Sequence, residues 1–126
     1  MTVPHERMRA LRWGAELLPM IEQDDSVPTL FRVRAALVQI NYPQPLPLLE
    51  IVLTDAPAMP LVWAQAIDDA RQLFDDLMRS GLGRQETRHL LRFTRRHFAE
   101  HFLLGYWTLV LEGVSLKDWL LPERDW

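Results

Sequence analysis

The sequence predicts an all-α protein. Apolar residues recur at intervals of three and four over several stretches, which is the period of an amphipathic helix. Proline and glycine fall between these stretches, where helices begin and end. At 126 residues the chain is long enough for one domain with one core. We therefore expect a single domain that comprises an N-terminal helical pair, a proline-rich connection, a long antiparallel helical hairpin and a short C-terminal helix.

The N-terminal pair covers residues 1–45. The first helix is expected at about residues 4–18, where Pro4 suits a first turn and Pro19 should end or kink the helix. Its apolar stripe comprises Met8, Leu11, Ala15 and Leu18.

The second helix should follow Pro28 and end before Pro43, because a residue that precedes proline is disfavoured in the helical conformation. Its main apolar stripe comprises Leu30, Val33, Leu37 and Ile40, and a second stripe on the opposite side comprises Phe31 and Val38. A helix that is apolar on two faces is usually sandwiched between neighbours or used in an interface.

Residues 46–59 are rich in proline and are expected to form an extended connection. Within it, residues 48–53 are apolar but too few to classify. A lone strand would have no partner here, so helix or irregular chain is favoured.

The hairpin is expected over residues 60–112. Its first helix should run from Pro60 to Gly81, with one buried stripe of Trp63, Ile67, Ala70, Phe74, Leu77 and Met78. Its second helix should begin near Gly83 and continue at least to Gly105, with Leu91, Thr94 and Phe98 on the inner face. A capping box that opens with Ser115 predicts the short last helix.

Composition excludes several classes of protein. The net charge is −3, so no overall positive field would draw the chain to nucleic acid or to an anionic membrane. The absence of cysteine excludes disulfides and thiolate metal sites. The first residues carry charges where a secretory signal needs an apolar core, and no apolar run is long enough to span a bilayer. We expect a cytoplasmic protein.

One motif suggests metal chemistry. His97, Glu100 and His101 fit the H-x-x-E-H pattern, in which two histidines one helical turn apart bind zinc and the glutamate activates water. A zinc peptidase also needs a third protein ligand and a larger fold. Histidines at the edge of an apolar face commonly bridge core and solvent, so the structural role is favoured. A zinc-dependent hydrolase remains the remote alternative, and no cofactor is expected.

A second group is basic. Arg84, Arg88, Arg92 and Arg95 fall on one flank of the predicted helix, and Arg96 follows them. The aspartates at 68, 69, 75 and 76 could pair with this flank across the hairpin. The other interpretations are an acidic protein partner and a nucleic acid.

Aromatic residues suggest interaction surfaces. Trp13 projects away from its helix's apolar stripe among arginines, which is typical of an interface anchor, although it could equally cover a neighbouring loop. Residues 102–111, which include Trp107, are apolar in every direction and predict either a central buried helix or a self-association surface. We expect a homodimer that uses this segment or the Phe31 and Val38 face.

The first third of the chain resembles a family of short, uncharacterised bacterial proteins. The resemblance lies in three matched groups of residues: Pro4, Glu6, Arg7, Arg9, Ala10 and Leu11; then Val27, Pro28, Arg32 and Ala35; then Tyr42 and Pro43. Family members usually end this region with L-L-R-H-Y-P, whereas this chain has neutral residues from Val38 to Asn41 before the tyrosine. The resemblance implies a bacterial origin and carries no known activity.

The sequence therefore favours a non-enzymatic module that presents helix faces to a protein partner. A regulator that binds nucleic acid through the arginine flank is the alternative.

Overall fold

The computed structural model describes residues 4–54, 59–98 and 120. Within these residues the protein is all-α, which confirms the predicted fold class, and it contains five helices. They are α1 (Pro4–Glu22), α2 (Thr29–Gln39), α3 (Pro45–Leu53), α4 (Leu61–Ser80) and α5 (Gln85–His97). Helix α1 packs against α2 and α5, α2 packs on α4, and α4 packs against α5. No helix in this part of the chain combines the length and apolar character needed to cross a membrane.

Helix α1 supplies much of the core. Met8, Leu11 and Leu18 of its predicted stripe are buried and Ala15 is partly buried, and Leu17 and Ile21 add to the buried side. The helix continues through Pro19 to Glu22, so the expected end at Leu18 is wrong. Proline removes one helical hydrogen bond. The burial of Ile21 and the bond from Gln23 N to Pro19 O at 3.1 Å favour continuing the helix for one more turn.

Helix α3 lies inside the proline-rich connection. The expectation of an extended chain is therefore wrong for residues 46–53, whereas the helical alternative given for residues 48–53 agrees with the structure. Pro45 occupies the first turn, where its missing N–H would have had no helical acceptor. Leu48 and Val52, four residues apart, are buried on one face. Short as it is, the segment forms a helix because that face packs into the core.

Helices α4 and α5 form the predicted hairpin. Helix α4 ends where expected, with Gly81 in the left-handed conformation at φ +70°. Helix α5 ends at His97, earlier than the expected Gly105, because Phe98 is extended at φ −70° and ψ 130°. The ring of Phe98 packs edge-to-face on Phe74 in the core, with 5.3 Å between centroids. This contact comes from tertiary packing, which the helical period does not reveal.

Asp24 lies in the turn between α1 and α2 and caps the start of α5, which is distant from it in the sequence. Its buried carboxylate accepts hydrogen bonds from Arg84 N at 2.8 Å, Thr87 Oγ1 at 2.7 Å and Ser26 N at 2.8 Å. Burial by itself raises the pKa of Asp24, but these hydrogen bonds and the charge of Arg84 outweigh burial and lower it. The Asp24 carboxylate thus fixes the start of α5 against the α1–α2 turn.

Tyr42 fixes the other end of α2. Its buried hydroxyl donates to Leu11 O at 2.7 Å, and burial raises the pKa of Tyr42 well above its usual value. The hydroxyl lies over Gly14, where α1 has no side chain to obstruct it. This close approach depends on glycine.

Candidate functional site

The most exposed apolar surface in the described part of the chain is one side of α2. Four side chains form it, and we call them the outer face: Leu30, 68% exposed, Val33, 49%, Leu37, 61%, and Ile40, 74%. These residues are the helix's main apolar stripe. Phe31 and Val38, expected as a free second face, instead pack partly buried against the core. Phe31 and Val38 thus pack against neighbouring helices, which is the other use expected for a helix with two apolar faces.

The orientation of α2 follows from the contacts on its inner side. Ala35 is fully buried at the centre of that side, where its small side chain allows close packing. Arg32 Nε donates to Glu22 O at 2.8 Å, and Gln39 Nε2 donates to Glu22 Oε1 at 2.9 Å. These bonds to the end of α1 hold the outer face toward solvent.

The flanks of the outer face are nearly uncharged. Thr29 and Ala36 border one side, and Arg34 and Asn41 border the other. Arg34 is the one charged residue among these four, and its guanidinium lies 3.0 Å from Asp76 on α4. Burial raises the pKa of Asp76, but hydrogen bonds from Arg79, Arg34 and Gln72 outweigh that effect and lower it. The charge that borders the outer face is thus already paired.

A hollow of about 160 Å³ separates α2 from α4 beside the outer face, and Leu37 and Val62 both line it. Val62 and its neighbour Leu61 are about half exposed. The lining of the hollow also includes the polar side chains of Asn41, Gln65 and Asp69. Leu61 and Val62 therefore add apolar surface at the start of α4, on the other side of this hollow from Leu37.

The structure divides the arginine cluster. Arg95 lies on Asp75 of α4, which is the predicted pairing across the hairpin. Arg84 instead lies near Asp24 and Asp25, at 3.7 and 3.5 Å. Among the described residues Arg88 and Arg92 have no ion-pair partner, and both are exposed. The predicted four-residue flank is thus reduced to two available guanidinium groups one turn apart.

Arg88 and Arg92 border a second hollow, which we call the hairpin hollow. It has a volume of about 180 Å³ and lies between α5 and the α4–α5 turn. Apart from the two arginines and Gly81, its lining consists of Leu77, Met78, Leu82 and Leu91. No carboxylate is among the described residues that line it. The helical period does not predict this hollow, although a leucine between two glycines, Gly81 and Gly83, is a signal in the sequence for an apolar side chain in a turn.

Trp13 lies between α1 and α5. Its ring meets Phe93 edge-on at 6.3 Å between centroids, and Arg9 stacks over it at 5.8 Å. His89 packs on the other side of Phe93 at 4.8 Å. Trp13 therefore has a packing role, and the exposed aromatic residue in this group is Phe93, 42% exposed.

The candidate metal motif loses its helical spacing in the structure. His97 is the last residue of α5, and its Nδ1 lies 3.3 Å from Glu6 on α1. Because Phe98 leaves the helical conformation, the expectation of one continuous helix from His97 to His101 is wrong. Glu100, His101 and Trp107 lie outside the described residues, as do residues 102–111. Of the predicted last helix only Leu120 is described, and its side chain is buried. Within 4–54, 59–98 and 120, no group of three acidic or histidine side chains could hold a metal ion.

The protein is thus a small all-α protein with two candidate binding surfaces. One is the exposed apolar outer face of α2, and the other is the hairpin hollow, which two arginines border. Comparison of this chain with protein-family models, with curated proteins and with solved structures finds no match. The chemistry of these two surfaces therefore carries the functional argument.

Proposed function

We propose that this protein is a non-enzymatic interaction module that pairs with a second copy of itself through the outer face of α2. The observation that carries this proposal is the exposure of four large apolar side chains in a row on a helix with a buried opposite side. Contiguous apolar patches of this kind mark interaction sites on proteins.

The spacing within the outer face favours a second α2 as its occupant. The four residues follow a 3-4-3 pattern, and the pattern is symmetric about Ala35. In an antiparallel twofold pair, Leu30 therefore faces Ile40 of the second copy, and Val33 faces Leu37. This arrangement is the self-complementary contact that a twofold interface requires, with the seam of a short coiled coil.

The charge on α2 supports the same occupant. Arg34, the charged residue that flanks the outer face on α2, is held by Asp76 in each copy, so α2 itself brings no unpaired charge into the interface. Helix α2 has 11 residues and is about 16 Å long. A helix pair of that length alone falls short of the roughly 1,000 Å² of a stable interface. Val62, which lines the hollow together with Leu37, supplies further exposed apolar area beside the outer face.

We expect the wild-type protein to sediment as a dimer at low micromolar concentration and Leu37→Asp to sediment as a monomer. Leu37 occurs twice in a twofold interface, and burial of each copy contributes about 1.5–3 kcal/mol. The substitution should therefore weaken dimerisation by about two orders of magnitude or more. Equilibrium sedimentation measures this change, and circular dichroism checks that the helices are retained.

Leu46→Asp is the matched control. Leu46 is a leucine on α3 that is even more exposed than Leu37, and its substitution should leave the dimer intact. A monomeric wild type would contradict self-association. A dimer that dissociates with Trp107→Ala and persists in Leu37→Asp would place the interface in residues 102–111 and overturn the proposed use of α2.

A further inference from the structure

We propose that the hairpin hollow is a second binding site, which takes an acidic segment of a partner protein with one large apolar side chain inserted between two carboxylates. This site lies on α4 and α5 and does not depend on the outer face of α2. Three features of the hollow support this site: its two available arginines, its apolar lining and its size.

Arg88 and Arg92 supply the charge. They stand four residues apart on α5, which places their Cβ atoms about 6 Å apart on one side of the helix. Neither has an acidic partner among the described residues, although Arg84 and Arg95 on the same helix both do. A guanidinium that is left unpaired at an apolar rim is suited to bind a carboxylate in two-point fashion.

The volume of the hairpin hollow suits one inserted side chain better than a free small molecule. Small-molecule sites usually measure about 300–1,000 Å³, and the hairpin hollow measures about 180 Å³. A cavity of ~150 Å³ holds one benzene ring. Leu77 and Leu91 form a buried floor, and half-exposed Met78 and Leu82 form the edge. This is the setting in which one phenylalanine or leucine anchors a peptide.

The pattern of charges favours a carboxylate partner over nucleic acid. A protein that binds a nucleic-acid duplex typically contacts about 6–10 phosphates with basic residues. Of the five arginines between 84 and 96, Arg84 and Arg95 are already paired with aspartates. The backbone of a nucleic acid also has no apolar group to fill the hollow.

The test uses alanine-based helical peptides and NMR titration of the full chain, a readout that detects weak binding. The probe peptide carries two glutamates four residues apart and a phenylalanine on the same face. We expect chemical-shift changes confined to residues that line the hollow. Glutamine in place of both glutamates, or alanine in place of the phenylalanine, should each weaken binding about tenfold or more.

Protein variants complete the test. The double variant Arg88→Gln with Arg92→Gln should lose binding at least tenfold, and Arg96→Gln, an exposed arginine of the same helix, should bind like the wild type. Leu37→Asp should also bind like the wild type, which separates this site from the dimer interface. Absence of binding up to millimolar peptide, or binding unaffected by the double variant, overturns the proposal. So does tighter binding of duplex DNA or RNA through the same two arginines.

Discussion

Replacing Gly14 with alanine should destabilise the fold by about 1–3 kcal/mol, although the same change within a helix ordinarily stabilises it. The added Cβ would clash with the hydroxyl oxygen of Tyr42 and would lie 3.1 Å from Cε2 of Phe98. The Tyr42 hydroxyl cannot move away freely, because it is buried and donates to Leu11 O.

Two opposing effects determine whether Gly14→Ala stabilises or destabilises the fold. Alanine is favoured over glycine in a helix by about 1 kcal/mol. Overpacking of a tight core costs about 1–3 kcal/mol, and displacing Tyr42 also breaks a buried hydrogen bond worth about 1 kcal/mol. The steric cost therefore outweighs the gain in helix propensity.

Chemical denaturation of Gly14→Ala, of Tyr42→Phe and of the double variant measures this coupling. Because Tyr42→Phe removes the oxygen nearest to the new Cβ, Gly14→Ala should cost less in that background. Tyr42 Cζ would still lie 3.1 Å from the Cβ, so some cost remains. The contact that we describe would be contradicted if the changes in unfolding free energy of the two single variants added up to that of the double variant. It would also be contradicted if Gly14→Ala were more stable than the wild type.

Asp24→Ala should cost about 2–3 kcal/mol of stability at neutral pH. The change leaves the backbone N–H of Arg84 and the buried hydroxyl of Thr87 without their acceptor, and loss of a helix cap alone costs about 1 kcal/mol. Asp24→Asn retains one acceptor oxygen and should cost less. Asp25→Ala is the matched control, since Asp25 is exposed in the same turn and should change stability little.

The effect of Asp24 should also depend on pH. Its pKa in the folded protein is lowered, so the carboxylate contributes stability above the unfolded pKa of about 3.9. That contribution is lost as the pH falls through the folded pKa. The difference in unfolding free energy between wild type and Asp24→Asn should therefore narrow below about pH 4. A difference that stays constant from neutral pH to about pH 3 would contradict the lowered pKa.

Much of the helical architecture could be predicted because it depends on local pattern. The stripe from Ile67 to Leu77 is buried in α4 as expected, and Gly81 ends that helix in the conformation that glycine favours. The full extent of helix α3 and the helical turn beyond Pro19 could not be predicted, although the sequence favours helix or irregular chain over strand for residues 48–53. Both are stabilised by burial of Leu48, Val52 and Ile21 against other helices.

Part of the interaction surface could likewise be predicted and part could not. The arginines were evident in the sequence, but only the structure shows that Arg84 and Arg95 are paired while Arg88 and Arg92 border an apolar hollow. The sequence shows that an arginine is present. Whether its guanidinium is available to a binding partner depends on whether the fold places a carboxylate beside it.

The sequence by itself determined that this is an all-α protein, that α2 is apolar on two sides, and that glycine ends α4. Only the tertiary structure decided that Phe31 and Val38 pack, partly buried, against the core and that the longer stripe from Leu30 to Ile40 is exposed. It also decided that Asp24 caps a helix 60 residues away. Local periodicity states which side chains share a face, but burial and hydrogen bonding depend on neighbours that are distant in the chain.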